Sequence, residues 1–155
     1  MTAKSDFTPE EWETVLEGPT AAGLMIAASQ RGGTFRESYS IAKAYTDARR
    51  DHGASQLLDD IVGSKPKVER PHVHSVDELK QQSLQQLRES LALVEQKGTP
   101  EEADQYKQFV VGLATRVAEA HREGFLGFSG DRVSDAERQA VSDVADALGV
   151  AAPSI

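Results

Sequence analysis

Five times in this chain a Ser or Thr is followed three residues later by Glu, just ahead of a run with helical periodicity. The pairs are Thr8/Glu11, Thr34/Glu37, Ser75/Glu78, Thr99/Glu102 and Ser134/Glu137. In such a box the cap hydroxyl accepts from the N–H at the third helical position, which has no partner within the helix. The Glu reaches back to the cap's own N–H. Pro9 and Pro100 directly follow two of the caps, where proline loses no needed donor and already has a helical φ. With no alternating run longer than a few residues, these starts predict an all-α fold. The expected architecture is a compact bundle of six to seven helices forming a single domain over residues 1–155.

Apolar spacing places the helices between these starts. The first is expected over Pro9 to Glu17, with Trp12, Val15 and Leu16 buried and Gly18-Pro19 as its stop. A second, apolar on all sides, spans Thr20 to Ser29 and should lie centrally. The third covers Phe35 to Arg50, with Phe35, Tyr39, Ala42 and Tyr45 as its stripe. A short helix bearing Leu57, Leu58, Ile61 and Val62 ends at Gly63, and residues 64–74, with two prolines, read as a linker between two halves. Two long helices follow, Val76 to Lys97 and Pro100 to Glu123, separated by Gly98 and so expected to form a tight antiparallel hairpin. After a glycine-rich stretch from Gly124 to Arg132, the last helix runs from Asp135 to Leu148 and stops at Gly149.

Charge and cysteine content exclude several functions. The net charge is −8, and the one basic stretch, Lys65, Lys67 and Arg70, has no interleaved aromatics, so a nucleic-acid partner is not expected. A chain with 0 cysteines has no disulfide framework, thiolate nucleophile or thiolate metal site. Met1 to Phe7 lacks the apolar core of a signal peptide, and Ala21 to Ala28 is too short to span a bilayer. These features predict a soluble, cytoplasmic protein with no membrane span.

A faint duplication pairs Ala21 to Ala48 with Leu113 to Leu148, each a small-residue helix, a turn and a capped helix. In the second copy, Gly130-Asp131, Ser134-Asp135-Ala136-Glu137 and the close Val144-Ala145-Asp146-Ala147-Leu148-Gly149 resemble tellurite-resistance TerB-like helical domains. The resemblance covers residues 19–62 and 106–149. It implies two pseudo-repeated hairpins, a stress-associated non-catalytic role, acidic surfaces and weak affinity for divalent cations. The first hairpin carries Gly32-Gly33 with no acid in the turn, and the second has Gly130-Asp131 in reversed order. Only Asp131, Asp135 and Glu137 are therefore eligible cation ligands by this likeness.

Read as residues alone, Asp131, Asp135 and Glu137 also suit a helix start, where the macrodipole favours acids. His72 and His74 are two apart in a proline-bounded segment with Asp77 and Glu78 near in sequence, which begins a zinc ligand set. Their other reading is as two solvent-facing loop histidines. Phe125, Leu126 and Phe128, set among glycines, either tuck into the core or offer a patch to a partner. His121 falls on the apolar stripe of its helix as a core histidine, and nothing predicts a nucleophile, base and acid that converge.

These readings predict a non-enzymatic helical module that meets protein partners through acidic faces, with no cofactor except, in one alternative, a divalent cation. That alternative is a metal-binding protein. A second is a small-ligand binder, for which the small residues around Met25 and Gly112 leave room between helices.

Overall fold

A computed structural model describes residues 1–29, 35–50, 55–66, 74–120 and 133–155, with the side chains of residues 35–40 and 120 outside that description. The described helices are α1 (Pro9–Ala28), α2 (Phe35–Arg50), α3 (Gln56–Gly63), α4 (Val76–Lys97), α5 (Pro100–Ala120) and α6 (Asp135–Leu148), preceded by a 3-10 turn at Lys4–Asp6. No strand occurs among the described residues, and none of their helices is long and apolar enough to cross a membrane. The bundle is all-α. α1 packs most extensively on α4, while α5 touches every other α-helix and so lies at the centre.

The capping chemistry is largely as the spacing predicts. Thr8 with Glu11, Thr99 with Glu102 and Ser134 with Glu137 close both bonds of the box. Ser75 makes only half of one. Its hydroxyl accepts from Glu78 N at 3.1 Å, but the Glu78 carboxylate takes the N–H of His74 at 2.9 Å instead of that of Ser75. Thr34 lies outside the described residues. At the other end of α6, Gly149 adopts φ 70°, a left-handed conformation that Gly enters without the Cβ penalty.

Gly18-Pro19 does not stop α1. The two helices expected over Pro9 to Glu17 and Thr20 to Ser29 are one helix of 20 residues, with Pro19 inside it. An interior proline normally costs about 3 kcal/mol, partly because the carbonyl four residues earlier loses its donor. Here that acceptor is the Val15 carbonyl, and the Tyr106 hydroxyl of α5 donates to it at 2.9 Å. Gly18 removes the second obstacle, because the residue before proline is kept from helical φ/ψ partly by its own Cβ. The missing Cβ also lets α4 and α5 approach closely. A Cβ at position 18 would sit 2.8 Å from Ser90 Cβ and collide with the Ser90 and Tyr106 hydroxyls. Burial pushes the Tyr106 phenol well above its ordinary pKa, so it remains a donor throughout the usual pH range. Tyr106→Phe should therefore lower unfolding free energy in urea by about 1–3 kcal/mol, the cost of a buried orphaned acceptor. A loss near zero would mean that Val15 O has found another donor.

The stripe of α2 is borne out at Tyr45 but not at Ala42, and the side chains of Phe35 and Tyr39 lie outside the described residues. Ala42 is exposed, whereas Ile41, Ala44 and Tyr45 are buried. Ile41 and Tyr45 share a face one turn apart, and Ile41 fills the space beside Gly23 of α1, where a Cβ would meet its Cδ1 at 2.9 Å.

The segment before α1 is tied down as a strap. Thr2 N and Oγ1 donate to the two carboxylate oxygens of Glu102 at 3.1 and 2.8 Å, and Lys4 N donates to Asp60 at 2.9 Å. Lys97 Nζ donates to Asp6 O at 2.9 Å and pairs with Glu11 at 2.8 Å. Phe7 packs on Trp12 with ring centroids 5.5 Å apart.

Candidate functional site

One concave surface lies between α2, α3 and α5. It is a groove of about 540 Å³ whose apolar lining includes Ala44 and Ala48 of α2, Leu58 of α3 and Phe109 of α5. The α2 face is shallow because alanines stand where larger residues would fill the gap. Gly112 of α5 extends the opening, since a Cβ there would meet no atom within 4 Å. The room expected around Gly112 is this groove. A smaller cleft of about 420 Å³ adjoins Met25, with Lys80 and Asp143 ion-paired at 2.5 Å in its lining.

Polar groups border the groove unevenly. Glu101 lines it from the first turn of α5, where acids are favoured by the helix dipole, and Asp104 from the turn after. Asp104 lies 3.9 Å from Lys107, a weak pair between partly solvated groups, so the negative edge is only partly offset. At the far end Arg116 pairs with Asp47 of α2. Behind the groove, Tyr45 meets Phe109 edge-on at 5.4 Å and 89°. The Tyr45 hydroxyl is buried with no hydrogen-bond partner among the described residues, and burial raises its pKa far from neutrality. A phenol held neutral in this way can donate but is a poor base.

The residues singled out from sequence do not converge on this groove. His74 is exposed ahead of α4, and His72 lies outside the described residues. Asp135 is fully exposed and 3.3 Å from Arg138. Glu137 is buried, and its carboxylate accepts the Ser134 N–H at 2.8 Å, so the cap occupies one of the expected cation ligands. Asp131, Phe125, Leu126, Phe128 and His121 lie outside the described residues. Among the described residues, no group of three or more His, Cys, Asp or Glu side chains is placed to hold a metal ion.

The groove residues were visible in the sequence mainly as something else. Phe109 reads as one more member of the apolar stripe of α5, and Glu101 sits in the first turn, where an acid needs no function to explain it. The available signal was Gly112, a glycine inside a strongly periodic helix, which costs roughly 1 kcal/mol relative to alanine. Comparison with protein-family models, with curated proteins and with solved structures finds no match to this chain.

Proposed function

We propose that this chain is a soluble, non-enzymatic interaction module of the cytoplasm, and that the groove between α2, α3 and α5 receives a basic amphipathic segment of a protein partner. The observation that carries this reading is the combination in one groove of an apolar floor with Glu101 and Asp104 along its edge. An amphipathic helix laid into an apolar groove is a recurring mode of peptide recognition, in which apolar anchors supply affinity. Acidic edges then select lysine or arginine on the partner and steer its approach. A net charge of −8 acts in the same direction at longer range. The resemblance of the second hairpin to TerB-like domains supports a non-catalytic, stress-associated role.

The test uses a fluorescein-labelled amphipathic Leu/Lys helix as probe, read by anisotropy at low and moderate salt. Wild-type protein should bind it saturably, and Glu101→Lys with Asp104→Lys should weaken binding about tenfold through two reversed contacts. Gly112→Leu, which projects into open space rather than the core, should weaken binding without a loss of melting temperature. Unchanged affinity in both variants would refute this assignment of the groove.

A further inference from the structure

A second concavity is built by different elements and has a different electrostatic character. This groove of about 1070 Å³ is walled by the N-terminal strap, the first half of α1 and the end of α3. Phe7, Trp12, Leu16 and Pro66 supply its apolar lining. Trp12 is nine-tenths buried or more, and its indole N–H has no acceptor among the described residues.

Lysines and acids both line this groove, but their engagement differs. Asp60 already accepts the Lys4 N–H at 2.9 Å and the Gln56 side-chain amide at 2.8 Å, and Glu13 is also engaged. The ammonium groups of Lys4 and Lys65 are exposed and have no ion-pair partner among the described residues. The end of α3 would ordinarily repel an anion through its unpaired carbonyls. Arg49 neutralises that end, donating from Nε to Val62 O at 2.5 Å and from Nη2 to Ser64 O at 3.5 Å. The lining thus carries two ammonium groups without an ion-pair partner among the described residues, beside two carboxylates, of which Asp60 is turned to the Lys4 N–H and the Gln56 amide.

We propose that this groove binds an amphipathic carboxylate, with its acyl or aryl body against Phe7, Trp12 and Leu16 and its carboxylate paired with Lys4 and Lys65. Apolar contact provides the affinity, and the two lysines select the sign of the head group. The groove, at about 1070 Å³, is slightly larger than the roughly 300–1,000 Å³ of ordinary small-molecule sites, which suits an extended chain. This site is separate from the acid-edged groove of α2, α3 and α5, and the two assignments stand or fall independently.

Trp12 is the 1 tryptophan of the chain, so its emission reports on this groove alone. Dodecanoate and dodecyltrimethylammonium, each below its micelle concentration, and dodecanol below its solubility limit should be titrated against the full chain with calorimetry in parallel. Dodecanoate should give a saturable emission change and binding heat, dodecanol a weaker response and the cationic amphiphile the weakest. Lys4→Gln with Lys65→Gln should weaken dodecanoate binding about fivefold, the effect of two exposed charge contacts, and leave dodecanol unchanged. The Lys4 tie to Asp60 runs through its backbone N–H, so this variant keeps the strap, and an unchanged melting temperature verifies that. Equal binding of all three amphiphiles, no binding of dodecanoate, or full dodecanoate affinity in the double variant would overturn the assignment.

Discussion

Gly18→Ala should destabilise the protein by about 2 kcal/mol or more, although alanine is the better helix former. In an unconstrained helix interior the same change gains roughly 1 kcal/mol. At position 18 the new methyl would lie 2.8 Å from Ser90 Cβ and overlap the Ser90 and Tyr106 hydroxyls. Overpacking of this kind typically costs about 1–3 kcal/mol. Pre-proline sterics add to that cost, because the new Cβ faces the ring of Pro19. Displacing the Tyr106 hydroxyl would also orphan the Val15 carbonyl that it serves at 2.9 Å. The steric terms therefore outweigh propensity. Urea denaturation gives the magnitude, and a double-mutant cycle gives the cause. Ser90→Gly removes the colliding Oγ and Cβ, so in the Gly18→Ala background it should recover part of the loss, with a coupling of about 0.5–3 kcal/mol. Additive effects would show that the three helices do not meet at this notch.

The second large effect is expected at Glu102. Its buried carboxylate accepts from Thr2 N, Thr2 Oγ1 and Thr99 N, so one side chain both caps α5 and holds the strap. Glu102→Ala should cost about 3 kcal/mol, since hydrogen bonds to a charged group contribute roughly 1.5–3 kcal/mol each and part of the loss is relieved when the strap detaches. Burial alone would raise the pKa of Glu102, but the bonds from Thr99 and Thr2 outweigh it and hold the carboxyl below its ordinary value of 4.5. A carboxyl with a depressed folded-state pKa stabilises fully above its unfolded-state value, and this stability is lost as pH falls through the folded-state value. Glu102→Gln should therefore be clearly less stable than wild type at pH 7, and the gap should narrow progressively below pH 4.5. A gap independent of pH would mean that the charge of Glu102 is not what holds the strap. Lys97 and Glu11 reinforce the same junction at 2.8 Å, but as a partly exposed pair they contribute much less.

Helix starts were legible because their chemistry is local. A cap hydroxyl and the carboxylate three residues on need only each other and two nearby N–H groups, so Thr8/Glu11, Thr99/Glu102 and Ser134/Glu137 form whatever packs around them. The bounds of α4 and α6 follow from the same short-range rules, and so does the left-handed Gly149. The candidate site was legible only as spare room beside Gly112. Glu101 had an adequate local explanation at a helix start, and nothing local shows that α2 offers alanines to the same space.

Sequence alone was enough for the helical class and most helix starts, because a helix satisfies its backbone within four residues and its caps within three. Only the tertiary structure decided that Gly18-Pro19 continues a helix instead of ending one. The donor that replaces the missing N–H comes from Tyr106, 91 residues from the carbonyl it serves. Only the tertiary structure, likewise, set Ile41 rather than Ala42 inward beside Tyr45 and joined the strap to Glu102. A groove, a notch and a strap are relations between surfaces distant in the chain, and no local spacing encodes them until the helices pack.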